Sequence, residues 1–301
     1  MPKSEGNSLQ GAEIVVPGSI ANLGPGFDTL AVAVRLYLRV RVSAVIAPGG
    51  GRLEFNFVGP RLDGENLIER AFRSLALQDG RDFPSMRLRV RSEIPMRSGL
   101  GSSSAAIVAG LRLYEKVFGP QPQQRLLAAA CELEGHPDNV AAALLGGLTG
   151  SCRHLDGSVT ALASRWPPSL RFVVVTPEVR LRTEASRQVL PESVSRQDAV
   201  FNLQRVVLLL QALQQGNYAL LREALRDRWH QPYRQPLVPG MQQALALEHP
   251  GLLGVCLSGS GPSVAALSEG NFSAIEELLL QSYRTLGIPC QVRTLRVHQK
   301  R

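Results

Sequence analysis

Apolar and polar positions change period several times along this chain, and each change marks an element. Residues 86–94 alternate, setting Met86, Leu88 and Val90 against Arg87, Arg89 and Arg91, which is the period-two pattern of a half-buried strand. Residues 105–118 then place Ile107, Leu111, Tyr114 and Phe118 at helical spacing. Upstream, residues 14–16 open a strand and residues 32–46 form a long β-branched one. Pro48-Gly49-Gly50-Gly51 turns that strand back into residues 52–58, which predicts a hairpin. Helices are predicted over 66–77, 123–133 and 139–145, the last two parted by Gly135-His136-Pro137. Residues 147–160 predict a second hairpin that turns at Asp156-Gly157.

Arg165-Trp166-Pro167-Pro168 interrupts the pattern and divides the chain into domains 1–165 and 166–301. The second half opens on a buried strand at 172–175, followed by helices over 195–214, 217–227 and 239–247. A strand over 252–258 runs into the glycine-rich turn Ser258-Gly259-Ser260-Gly261-Pro262-Ser263. A helix at 272–286 and a strand at 289–297 close the chain. Strands and helices mix in both halves, so the predicted class is α+β with two lobes. The first ten residues are mostly polar and are expected to fray.

Composition narrows the function. Hydrophobic content of 44% and charged content of 19% over 301 residues describe a globular enzyme rather than a disordered chain. The net charge of +8 raises a nucleic-acid partner, but the arginines are scattered and only five tyrosines and two tryptophans could stack on bases. A basic surface that attracts small anionic substrates accounts for the excess, and no nucleic-acid partner is expected. No apolar run is long enough to span a bilayer and no signal peptide is recognisable, so no membrane association and a cytoplasmic location are expected. The four cysteines, at 131, 152, 256 and 290, form no Cys-x-x-Cys pair and read as buried reduced thiols.

The chemistry concentrates in Pro95-Met96-Arg97-Ser98-Gly99-Leu100-Gly101-Ser102-Ser103-Ser104-Ala105, between the alternating strand and the helix. Glycines let backbone approach a ligand closely, and the N–H groups of a helix's first turn attract anions. This is a phosphate cradle. It lacks the Gly-Lys-Ser/Thr of the Walker loop and the Gly-x-Gly-x-x-Gly of the Rossmann turn.

Three segments, 17–28, 95–106 and 254–265, resemble in order and spacing the three motifs of the GHMP kinases, and the resemblance runs from about residue 12 to 297. Within that superfamily the chain is most similar to the homoserine kinases. Ser19-Ile20-Ala21-Asn22-Leu23-Gly24-Pro25-Gly26-Phe27-Asp28, Glu134-Gly135-His136-Pro137-Asp138-Asn139-Val140, Thr183-Glu184-Ala185-Ser186-Arg187 and His230-Gln231-Pro232-Tyr233-Arg234 carry that likeness. The resemblance implies a two-lobed fold, with a left-handed β-α-β unit in the N-terminal lobe and a ferredoxin-like C-terminal lobe. It also implies ATP- and Mg²⁺-dependent phosphorylation of L-homoserine to O-phospho-L-homoserine, in threonine biosynthesis, by a possible homodimer. Another GHMP kinase acting on a mevalonate-type alcohol, and a non-catalytic nucleotide-binding regulator, are the alternatives.

On that resemblance the residues take roles. Asp28, with Asn22 beside it, is the candidate for the substrate ammonium, and Arg187 and Arg234 for its carboxylate, because a planar guanidinium grips a carboxylate bidentately. Thr183 and Asn139 join the substrate set. Residues 95–105 take the nucleotide, and Ser103 with a glutamate takes the metal. Glu132 and Glu134 compete for that place, lying about 200° apart around a helix, and Glu132 is favoured. Asn139, Asp138 and Arg187 are the catalytic candidates. Asn139 stands where several relatives have an aspartate base, and an amide cannot take the hydroxyl proton. Transfer of that proton to the γ-phosphate is therefore expected, with Asp138 as the alternative base.

Overall fold

The strand with the longest alternating run becomes the spine of the N-terminal sheet. In the computed structural model, which describes residues 9–59, 64–179, 181 and 183–299, β2 (Leu30–Gly50) buries Leu36, Leu38, Val40 and Val42. The fraying expected at the start falls, but for Leu9 and Gln10, outside the described residues. β1 (Glu13–Ala21) pairs antiparallel with β2 and continues beyond the expected 14–16. A bulge at Pro17/Gly18 lets the proline sit in the ladder without donating.

The expected first hairpin does not form. β3 (Leu53–Val58) pairs in parallel with β4 (Pro84–Ser92), and β4 lies between β3 and β2. The reason is burial. β4 buries Met86, Leu88 and Val90, whereas β3 buries only Leu53, so β4 takes the inner position and β3 the edge. Helix α1 (Leu67–Gln78), capped by the Asn66 side chain, joins β3 to β4 and completes a β-α-β crossover. β5 (Leu148–Arg153) and β6 (Val159–Ser164) form the second expected hairpin and complete a six-stranded sheet, five strands in the order β3-β4-β2-β5-β6 with β1 paired to β2 off that path. α2 (Ser102–Phe118), α3 (Gln123–Glu134) and α4 (Asp138–Leu145) share one core with it.

The second sheet runs β10-β7-β9-β8, antiparallel throughout, from β7 (Arg171–Pro177), β8 (Gly254–Leu257), β9 (Val264–Ser268) and β10 (Cys290–Leu295). With helices after β7 and after β9, this is the β-α-β-β-α-β arrangement of a ferredoxin-like lobe. The apolar run of β7 has a structural reason. Phe172 and Val174 face the core shared with the first sheet, while Val173 and Val175 face a second core with Leu257, Ile275 and Leu279. Burial on both faces removes the usual alternation.

Between β7 and β8 lie α5 (Thr183–Gln188), α6 (Arg196–Gln215), α7 (Leu221–Ala224), α8 (Gln231–Arg234) and α9 (Met241–Leu245), and α10 (Phe272–Thr285) follows β9. The single helix expected over 217–227 is a 3-10 turn at Tyr218–Leu220 followed by α7. Asp227 instead accepts the backbone N–H groups of Trp229, His230 and Gln231, holding the start of α8. Among the cysteines, Cys131 and Cys256 are buried, with thiols pushed up to about 12 by burial, while Cys152 is exposed, contrary to the expectation of buried thiols.

Candidate active site

The loop between β4 and α2 is held from below by its own carbonyls. Ser98 C=O accepts from Ser263 N–H at 3.0 Å, Gly99 C=O from Ser258 Oγ at 2.7 Å, and Leu100 C=O from Ser19 N–H at 3.1 Å. Three successive carbonyl dipoles thus turn away from any anion on the loop, and the first turn of α2 offers its unpaired N–H groups. Gly99 and Gly101 have φ of +78° and +72°. A Cβ at Gly99 would stand 2.2 Å from the Ser258 carbonyl oxygen, and one at Gly101 would stand 2.1 Å from Ser19 Oγ. Only glycine fits either place. The glycine-rich turn of 258–263, which joins β8 to β9, is therefore the brace of the loop.

A cavity of about 630 Å³ opens over this loop. Pro95, Met96, Arg97, Ser98, Gly99, Gly101, Ser102 and Ser103 line it, whereas Leu100, Ser104 and Ala105 do not. Leu100 and Ala105 are packed into the apolar core and Ser104 is buried, so these three of the expected nucleotide residues contribute backbone rather than an exposed side chain. One wall is apolar, with Leu38, Phe57, Ile68, Val90 and Ile94.

The structure does not bring the expected metal ligand, Glu132, to the loop. Glu132 is exposed on α3 and does not line the cavity, while Glu134, at the end of the helix, faces the loop. Ser103 Oγ donates to Glu134 Oε1 at 2.6 Å and Ser104 Oγ donates to the same oxygen at 2.7 Å. The two glutamates do point apart as helix geometry requires, and the packing of α3 on α2 selects the second. A carboxylate and a serine hydroxyl beside a phosphate loop are hard oxygen donors, the kind Mg²⁺ takes when it keeps several waters and phosphate oxygens.

At the other end the substrate candidates converge. Arg187 grips Asp28 bidentately, Nη2 to Oδ1 at 2.6 Å and Nη1 to Oδ2 at 3.0 Å. Asp28 sits at φ +54° and Asn22 at φ +70°, the left-handed region that aspartate and asparagine tolerate. Asn22 lines the cavity, but its amide donates to Gly259 C=O at 3.0 Å and accepts from Asp28 N–H at 3.1 Å. It stitches the first motif to the third. Thr183, at the start of α5, reaches Ser260 Oγ at 3.5 Å on the same rim.

Arg234 is buried and lines the cavity. Its Nε donates to Ser186 C=O at 3.1 Å and its Nη1 to Gly259 C=O at 3.0 Å. Burial first, and the nearby Arg187 charge second, push its pKa down to about 10, so it stays cationic at neutral pH. Behind it stands His230, a residue whose service to the site the sequence did not show. His230 Nε2 lies 2.7 Å from the Gly24 carbonyl oxygen and Nδ1 lies 3.2 Å from Arg234 Nη1. Burial, reinforced by the charge of Arg234, lowers the pKa of His230 despite Asp227, so the ring is neutral. Neutral His230 then donates from Nε2 and accepts from Arg234 at Nδ1.

Asp138 and Asn139 open α4, and both line the cavity. Asp138 Oδ1 accepts from Asn139 N–H at 2.7 Å and contacts His136 Nδ1 at 2.7 Å. Burial works against a protonated His136, but the Asp138 hydrogen bond and charge outweigh it and raise its pKa. Asn139 Oδ1 accepts from Ser19 Oγ at 2.6 Å. Asp28, His136 and Asp138 bring ligand atoms within 4.8 Å of one another, a nest suited to a cation.

Known proteins place these features in a family. The chain matches the GHMP kinases N terminal domain over residues 66–147 and the GHMP kinases C terminal domain over residues 209–285. It is 41% identical over 277 residues to a homoserine kinase of Solibacter usitatus, covering 90% of each chain. It is 39% identical over 290 residues to that of Moorella thermoacetica, covering 93% of this chain and 95% of the other. Among solved structures, a homoserine kinase from Cytophaga hutchinsonii superposes with a TM-score of 0.84 at 27% identity, covering 100% of this chain and 98% of the other. The L. major mevalonate kinase, at 16% identity and a TM-score of 0.72, shares the fold, with 100% of each chain covered.

Proposed function

We propose, from the premise that the chain belongs to the homoserine kinases of the GHMP kinase superfamily, a division of labour for the phosphorylation of L-homoserine by ATP. The observation that carries it is the single cavity, with a braced phosphate loop at one end and the Asp28–Arg187–Arg234 group at the other. The polyphosphate of ATP lies on residues 95–105 and its base against Leu38, Phe57, Ile68, Val90 and Ile94. Glu134 and Ser103 would hold Mg²⁺, which when bound would supply positive charge to neutralise the phosphates.

Homoserine is a zwitterion, and in the Arg187–Asp28 pair each of its charges finds the opposite one. Its ammonium enters beside Asp28, His136 and Asp138, and its carboxylate beside Arg187 and Arg234. The ligand thus shares an existing ion pair, so no side chain is left with an unmatched charge when the site empties. His230 acts as a positioning residue for Arg234. The hydroxyl is directed toward the loop past Asn139, whose carbonyl is taken by Ser19 and whose amide cannot act as a base. Its proton passes to the γ-phosphate, a route that a loose transition state governed by alignment tolerates. Asp138 as base is the second reading, favoured by its place on the same cavity wall.

This reading includes domains 1–165 and 166–301, a homodimer and a cytoplasmic location; among the described residues no helix is long and apolar enough to cross a membrane. The test is ADP release from MgATP with L-homoserine, mevalonate, galactose or no acceptor. Stimulation by homoserine alone is the expected result. Stimulation by mevalonate, or ATP binding without turnover on any acceptor, overturns it.

The Asp28→Ala variant separates the two ends of the cavity. Its KM for homoserine is expected to rise by about tenfold or more, the worth of one charge-assisted contact, while its KM for ATP stays within about twofold. An equal rise in both would remove Asp28 from the ammonium site.

A further inference from the structure

Helix α6 buries Asn202, Leu209, Ala212 and Leu213 against the body of the protein, yet its outer side is not the charged face of an ordinary surface helix. Val200 is 45% exposed, Leu203 65%, Val207 61% and Leu210 38%. Their spacing of three, four and three residues is that of the contact seam between paired helices. Every other exposed residue between Gln197 and Gln215 is a glutamine, at 197, 204, 211, 214 and 215. A chain with 33 basic and 25 acidic side chains places none of them on the exposed part of this stretch.

We propose that this face docks against the same face of a second copy, antiparallel about a two-fold axis. The seam is symmetric about the point midway between Leu203 and Val207. An antiparallel copy therefore sets Val200 against Leu210 of the partner subunit and Leu203 against Val207 of the partner subunit. Each contact joins one valine to one leucine, so the seam fills evenly. Gln197, Gln204 and Gln211 run along one flank. A carboxamide both donates and accepts, so identical side chains can bond across a two-fold axis where identical charges would repel. Arg196 comes to the C-terminal end of the partner's helix, where the helix dipole is negative. The partner's C-terminal half also meets a shallow groove of about 660 Å³ lined by Arg196, Gln197, Val200, Phe201, Gln204 and Arg228. A membrane-lying helix would carry lysine or arginine along its flanks, and this one carries glutamine.

The inference rests on the homodimer of the proposed reading but not on the kinase activity. Sedimentation velocity of the full chain at micromolar concentration tests it, with circular dichroism to confirm the fold. The wild type is expected at dimer mass, and Leu203→Glu with Val207→Glu at monomer mass with unchanged helix content. In a Cys152→Ser background, Gln204→Cys is expected to give a disulfide-linked dimer under mild oxidation, because residue 204 lies next to its own copy across the axis. A monomeric wild type overturns both the homodimer and the interface. A dimer that survives the folded double variant overturns this interface and leaves the homodimer standing. Should the double variant misfold, absence of the Gln204→Cys cross-link overturns the interface. Homoserine-dependent ADP release is read separately.

Discussion

The Arg234→Lys variant is expected to lose about a hundredfold in kcat/KM for homoserine at pH 8, although it keeps a basic side chain. Lysine cannot reproduce the fork that reaches Ser186 C=O and Gly259 C=O together; Gly259 C=O keeps the Asn22 amide, but Ser186 C=O loses its guanidinium donor, and a buried carbonyl left unpaired costs about 1–3 kcal/mol. About 3 kcal/mol is two decades in rate. Charge is the second loss. The site pulls arginine from 12.5 to about 10, first by burial and then by the Arg187 charge. The same burial and the same Arg187 charge push a lysine there below its ordinary range, from a starting point already lower than arginine's. A base whose pKa is lowered stays charged only on the acid side of the new value, so lysine loses its charge at a lower pH than arginine does. The variant should therefore recover part of its activity relative to wild type as the pH falls from 8 to 6.5. A steady-state pH profile decides the matter. Full activity at pH 8, or a flat ratio to wild type, would remove Arg234 from the carboxylate site.

Glu134→Gln is expected to lower kcat by about a hundredfold and to raise the Mg²⁺ concentration for half-maximal rate, while Glu132→Gln stays within about twofold of wild type. The glutamine keeps the volume and can still accept from Ser103 and Ser104, so the loop should fold and ATP should still bind. What goes is the negative charge that belongs beside a divalent ion. Magnesium titrations at saturating ATP and homoserine distinguish the two glutamates. Equal effects at both positions, or a larger one at Glu132, would return the metal site to the exposed side of α3.

Local signals were legible where chemistry and fold agree over a few residues. The alternation of 86–94, the glycine-serine turn at 98–104 and the helix after it needed no distant partner to be read, and they assemble the phosphate loop. The Asn66 and Ser195 caps mark where α1 and α6 begin, because each side chain bonds the N–H groups of its own first turn. Residues 52–58 were misplaced beside β2 for the opposite reason. A turn shows that the chain reverses, but which strand lies alongside depends on which apolar faces must be buried, and β4 won that position. His230 was read as part of a segment but given no role, because nothing local marks what a histidine ring there will meet. The approach of Gly24, 206 residues away, and of Arg234, one helical turn on, gives its ring a task.

By itself the sequence determined the kinds of groups this protein has available: a backbone cradle for phosphate, carboxylates and guanidiniums for a zwitterion, and an amide where a base might stand. Tertiary structure decided which of them meet. It brought Glu134 rather than Glu132 to the loop serines, by the face that α3 presents to α2. It turned Asn22 from a free ligand into a stitch between motifs 237 residues apart, and it joined Asp28 to Arg187 across 159 residues. Residue type and spacing act over a turn of helix or a strand, and the sequence carries them openly. Pairing across the chain depends on which surfaces exclude water together, and that is settled only when the whole core forms.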